Sequence, residues 1–171
     1  MRVLGIDPGT RVTGYGCIAT PPTLGGRPGI VEAGVFRLCP SGGPTPELAA
    51  RLVELERDLD DLLARTTPSL VCIEALFSNP RHPGTVITMA HARGVILLAI
   101  RRAGVELVEL PPAEVKRAAA GSGRATKPQM QASVQRLFGL DERPSPSDIA
   151  DALAVAWCGA ARHGAGAMRR G

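Results

Sequence analysis

Four carboxylates stand where a chain does not normally spend a charge. Asp7 closes the apolar run 3–6, Glu74 closes the run 70–73, and Asp148 and Asp151 flank the apolar stripe of a helix near the end. Isolated acids in such places are costly to desolvate unless something positive neutralises them. No histidine or cysteine cluster accompanies them. If the four converge, the ligand they suit is a hard divalent cation held by oxygen. Taken singly, two of them have ordinary readings. Asp7 before Pro8-Gly9 could be a turn aspartate, and Asp148 could be the acid of a capping box begun by Ser145. Glu74 and Asp151 are harder to dismiss, and the combination carries the inference.

The elements that must position these acids follow from pattern. Residues 3–6 read as a strand entering the turn Asp7-Pro8-Gly9, and 12–19 as a second strand whose glycines at 14 and 16 thin one face. After a Pro/Gly-rich loop at 20–29, residues 30–38 read as a third strand, which predicts an antiparallel meander. A linker at 40–44 leads to a helix expected to open at Thr45-Pro46. Leu48, Leu52, Leu55, Leu59 and Leu62 form its apolar stripe, and Glu54, Glu56, Asp58, Asp60 and Asp61 form its solvated face. Leu70-Val71-Cys72-Ile73 is a continuous apolar run of the kind buried in a sheet centre. A strand reached through a helix should lie parallel to its partner.

A second helix spans about 85–102 and is apolar nearly all round, so it is expected to be covered on two sides. A fifth strand follows at 105–109, then helices at roughly 112–119, 128–138 and 146–162, the first two separated by Gly121-Ser122-Gly123. The fold class predicted is α/β, a mixed five-stranded sheet with three antiparallel strands then two parallel. Residues 1–162 are expected to form one domain and 163–171 a frayed tail.

If the first and fourth strands are parallel neighbours, Asp7 and Glu74 emerge at one carboxyl edge, where sites form in open α/β folds. Asp148 and Asp151 stand at i and i+3, with Cβ atoms about 5–6 Å apart on one side of their helix. Ile149, Leu153, Ala156 and Ala160 mark its apolar stripe, and docking through that stripe would hang both acids over the sheet edge.

Composition narrows the class. At 171 residues, 44% apolar and 21% charged, the chain fits one soluble globular domain. The net charge of +4 is unevenly spread. Residues 1–74 carry 7 Arg/Lys against 9 Asp/Glu, and residues 75–171 carry 13 against 7. Two of those seven acids are Asp148 and Asp151, so if metal neutralises the site the second half is a strongly basic surface suited to a polyanion. Cys17, Cys39, Cys72 and Cys158 show no CxxC spacing and read as buried reduced thiols. No signal peptide is expected from residues 1–7, and the apolar stretch 94–100 is too short to span a bilayer. A cytoplasmic protein without membrane contact is expected.

With these residues in view, the chain resembles the bacterial RuvC family of Holliday-junction resolvases. The likeness runs through Leu4-Gly5-Ile6-Asp7-Pro8-Gly9-Thr10-Arg11-Val12-Thr13-Gly14-Tyr15-Gly16, Ile73-Glu74-Ala75-Leu76-Phe77 and His91-Ala92-Arg93-Gly94-Val95. It continues in Val115-Lys116-Arg117, Gly121-Ser122-Gly123 and Lys127, and in Asp148-Ile149-Ala150-Asp151-Ala152-Leu153-Ala154. It covers roughly residues 2–160. The Pro-rich stretches at 20–29, 40–46 and 143–146 depart from it as loop differences. The resemblance implies a ribonuclease-H-like fold, a homodimer, and Asp7, Glu74, Asp148 and Asp151 as catalytic, metal-holding carboxylates. Two Mg²⁺ or Mn²⁺ ions per active site, about 3.5–4 Å apart, would serve hydrolysis of a phosphodiester. Asp7 would bridge both ions, Glu74 would hold one, Asp151 the other, and Asp148 would assist.

The expected substrate is a four-way DNA junction, cut symmetrically by a C₂ dimer whose contact is the apolar helix at 85–102. The expected partner is a branch-migration helicase complex of the RuvA and RuvB type. Lys116 and Lys127, the only lysines, match the family's basic segment and are expected to contact phosphate. Phe77 is expected to stack on unpaired bases, with Arg81 and Arg124 as further DNA-binding residues. Two rivals remain. An actin-like phosphate-binding turn at 5–10 would need two such domains, more than 171 residues supply. A junction-binding module without catalysis would not need all four acids.

Overall fold

A computed structural model describes residues 1–9, 11–21, 26–39, 42, 44–75 and 83–168. In chain order the elements are β1 (Arg2–Asp7), β2 (Val12–Ala19), β3 (Gly29–Arg37), α1 (Leu48–Thr66), β4 (Leu70–Glu74) and α2 (Pro83–Arg102). Then come β5 (Glu106–Leu110), α3 (Pro112–Ala120), α4 (Lys127–Phe138) and α5 (Ser147–Met168). The sheet order is β3-β2-β1-β4-β5. β1 pairs antiparallel with β2, and β2 with β3. β4 lies parallel to both β1 and β5. The meander and the parallel pair expected from pattern are both present, and β1 occupies the centre because β4 joins its free edge.

Period-two alternation along the strands divides the core in two. Val3, Ile18, Leu70, Cys72 and Leu110 face α3, α4 and α5. Leu4, Ile6, Cys17, Val71 and Ile73 face α1 and α2, where Leu55, Leu59, Leu62, Ile96 and Ile100 are buried against them. α1 shows the amphipathic stripe its leucines predict. It starts at Leu48 rather than at the expected Thr45-Pro46 cap, and Glu47 stands at its N-cap with no side-chain hydrogen bond.

α5 differs most from expectation. Its buried set includes Ala150, Ala152, Ala154, Val155 and Cys158 as well as Leu153, Ala156 and Ala160, while Ile149 is only half-buried. The helix rests on the sheet on one side and is covered by α3 and α4 on the other, so a single stripe underdescribes it. It also continues to Met168, past the expected end at residue 162. All four cysteines are free and buried. Among the described residues, no helix is long and apolar enough to cross a membrane.

Candidate active site

Register and close helix–sheet approach bring the four acids into one neighbourhood. Ile6 of β1 is paired with Ile73 of β4, so Asp7 and Glu74 leave the carboxyl ends of adjacent parallel strands side by side. Asp7 shares parity with Val3, and Glu74 with Cys72, both in the core beneath α5. Their side chains therefore project on the α5 face of the sheet.

Glycines let the backbone of α5 come down onto that face. A Cβ on Gly5 would lie 2.1 Å from the Ala152 carbonyl oxygen and 2.4 Å from the Ala156 nitrogen. One on Gly14 would lie 2.2 Å from the carbonyl oxygen of Asp148. Since Gly14 is the register partner of Asp7, the first turn of α5 lies directly over the end of β1. Any larger residue at these positions would lift the helix, and Asp148 and Asp151 with it.

Electrostatics registers the convergence. Burial is the main cause that pushes the Asp7 carboxyl from 3.8 up to about 8, and repulsion from Asp151, Glu74 and Asp148 adds to it. Glu74 is also raised, by burial and then by Asp151, with Lys116 and Lys127 opposing. Burial raises Asp151 as well, against the pull of Lys127 and with a push from Asp148. The Lys127 ammonium lies 4.0 Å from Asp151 Oδ2. It is the first residue of α4, whose start is held by the Thr126 N–H donating to Gln129 Oε1 at 2.9 Å.

The donor set fits a hard divalent cation. Four carboxylates offer only oxygen, and their shared repulsion is the kind that such an ion would relieve. Among the described residues no group of three or more acids, histidines or cysteines is placed closely enough to hold a metal ion.

Of the residues expected to touch DNA, Lys116 on α3 and Lys127 on α4 stand close enough to the acids to shift them. Arg124 is exposed in the turn between α3 and α4, with its N–H donating to Ser122 Oγ at 3.3 Å. Phe77 and Arg81 lie outside the described residues. The sequence placed Arg93 in a shared motif but gave it no role. It is buried on α2, its Nη1 donates to the Glu74 carbonyl oxygen at 2.7 Å, and its Nη2 lies 2.7 Å from Glu109 Oε2. The available signal was that it is the only charged residue between 83 and 100.

The family described as crossover junction endodeoxyribonuclease RuvC matches residues 3–159. The chain belongs to the RuvC family. The crossover junction endodeoxyribonuclease RuvC of Syntrophomonas wolfei subsp. wolfei is 44% identical over 162 residues, spanning 92% of this chain and 87% of that protein. The Thermus thermophilus RuvC structure superposes with a TM-score of 0.83 at 32% identity, covering 96% of this chain and 97% of that one. Thermus thermophilus RuvC in complex with a Holliday junction substrate gives a TM-score of 0.84 at 32% identity, covering 96% of each. The five-stranded sheet with its two helical layers is the ribonuclease-H-like fold of RuvC.

Proposed function

We infer that this chain is a Holliday-junction resolvase, an endodeoxyribonuclease that hydrolyses phosphodiester bonds in a four-way DNA junction. The observation that carries the reading is that Asp7 and Glu74 end adjacent parallel strands directly beneath the first turn of α5, which bears Asp148 and Asp151. Burial and these neighbours push the Asp7 carboxyl up to about 8. Strongly perturbed groups of this kind gather at functional sites. Membership of the RuvC family supports both the reaction and its dependence on a divalent metal.

Asp7, Glu74, Asp148 and Asp151 would hold the metal, two ions of Mg²⁺ or Mn²⁺ in each site. When bound, such ions supply the positive charge that activates water and stabilises the phosphoryl and leaving oxygens. Asp7 is the acid on which all three others act, which would suit it to be shared by both ions. Glu74 and Asp151 would hold one ion each, and Asp148 would assist beside Asp151. All four would act as carboxylates, so metal binding must displace the proton that Asp7 keeps up to about pH 8, and acid opposes it. Lys116 and Lys127 meet phosphate at the rim and temper the repulsion among the acids. Arg124, with Phe77 and Arg81, extends the DNA contact.

Two symmetric cuts need two sites related by a two-fold axis, which a homodimer supplies. Ile87 at 58% exposure and Leu98 at 48% leave an apolar face on α2 that supports an isologous contact there. A branch-migration complex of the RuvA and RuvB type is the partner this role implies. Four buried free thiols support a reducing, cytoplasmic setting.

The test is cleavage of a synthetic four-way junction beside linear duplex, with Mg²⁺, Mn²⁺ or chelator. Paired symmetric nicks in the junction alone, dependent on metal, are expected. Asp7→Ala should bind the junction without cutting it. Cleavage that survives that substitution overturns the reading.

A further inference from the structure

The peptide unit that follows Glu74 is held at both of its polar atoms. Its carbonyl oxygen accepts a 2.7 Å hydrogen bond from Arg93 Nη1. Its N–H, that of Ala75, donates to the Leu110 carbonyl oxygen at 2.8 Å. Fixing that plane fixes ψ at Glu74 and with it the direction in which the side chain leaves the backbone. Arg93 itself is only 7% exposed. Its Nη2 lies 2.7 Å from Glu109 Oε2, an ion-pair contact rather than a well-angled hydrogen bond. Glu109 is the register partner of Ile73 and shares its face, the one turned to α2. The guanidinium thus lies on the opposite side of the sheet from the four acids.

We propose that Arg93, steadied by Glu109, is a positioning residue that aims the Glu74 carboxylate into the acid cluster by clamping its backbone from behind. The proposal rests on the reading of Glu74 as a metal-holding acid. The chemistry requires arginine, because its planar fork can serve a carbonyl and a carboxylate at once and keeps its charge when buried. A lysine offers one compact charge and can serve only one of the two well. Glu109 supplies the counter-charge that makes burial of the guanidinium tolerable. Removing Arg93 would leave the Glu74 carbonyl without that donor and the peptide held through its N–H alone. The carboxylate would then be present but misdirected.

A buried arginine that served only stability would change melting and nothing else. The test is therefore titration of Mn²⁺ alone, followed calorimetrically, into wild type, Arg93→Ala, Arg93→Lys, Glu109→Gln and Glu74→Gln. Binding to a four-way junction in chelator is measured in parallel. Partners that orient a metal ligand typically contribute about 10–100-fold to affinity, and Arg93→Ala should weaken Mn²⁺ binding within that range while junction binding holds. Arg93→Lys should recover melting temperature more than it recovers Mn²⁺ affinity. Glu109→Gln should show a smaller loss in the same direction. If Arg93→Ala does not fold, Arg93→Lys and Glu109→Gln decide the matter. Folded variants with wild-type Mn²⁺ affinity, beside a weakened Glu74→Gln, overturn this inference alone. Unchanged affinity in Glu74→Gln overturns the reading of Glu74 and the clamp with it.

Discussion

Replacing Asp7 with asparagine should make the metal-free protein more stable in mild alkali while abolishing cleavage. The Asp7 carboxyl is pushed from 3.8 to about 8, chiefly by burial and then by the neighbouring acids. Each pKa unit corresponds to about 1.4 kcal/mol, so the full shift amounts to on the order of 5 kcal/mol above pH 8. Part of this belongs to the coupled acids together and part relaxes with water, so about 2–4 kcal/mol should be recovered by the neutral isostere. In a chain of this size each kcal/mol moves Tm by about 2–4 °C, so a gain of about 5–15 °C is expected. The folded pKa lies above the unfolded value. The stability contributed by protonated Asp7 is therefore complete below about pH 3.8 and is lost as pH rises through about 8. Asparagine does not titrate, so the gap between variant and wild type must widen from pH 5 to pH 8. Calorimetric melts in chelator at those two pH values measure it. Adding Mn²⁺ should then raise the wild type and close the gap, because a ligand of the folded state stabilises it. Equal melting temperatures at pH 8 in chelator, or a gap that ignores pH, would refute the account of the site.

Two further outcomes follow from the same geometry. Gly5→Ala sets a Cβ 2.1 Å from the Ala152 carbonyl oxygen, a backbone atom that cannot swing aside. A loss of about 3 kcal/mol in urea unfolding is expected, with cleavage falling too because α5 carries Asp148 and Asp151, and wild-type stability would contradict the close docking of α5. Lys127 lowers the pKa of Asp7, Glu74 and Asp151, so Lys127→Met should move the acid limb of the pH–cleavage profile upward. The effect should shrink in high salt, since the ammonium is 73% exposed. An unmoved acid limb would show that the lysine contributes only to DNA contact.

Much of the site was legible in the chain because its signals are local. An apolar run that ends in a carboxylate announces a buried strand with an acid at its mouth, and both Asp7 and Glu74 were visible that way. The i, i+3 spacing put Asp148 and Asp151 on one side of a helix before any packing was known. The glycines at 14 and 16 hinted at a thinned face, though which backbone would occupy it was not readable. Arg93 was invisible in its role. An arginine on an apolar helix can as easily reach out to solvent, and only the path of β4 and β5 beneath α2 turns it inward to a carbonyl and a carboxylate.

By itself the sequence determined the element types, the alternation of faces and the place of each of the four acids on its own strand or helix, since strand and helix periods act over a few residues. Tertiary structure alone decided that β4 pairs with β1, that α5 is enclosed by α3 and α4 as well as the sheet, and that Asp7 is the most strongly perturbed carboxyl. Those outcomes depend on register between distant strands and on how closely two backbones approach. Burial and repulsion are properties of the assembled neighbourhood, and no stretch of chain carries them alone.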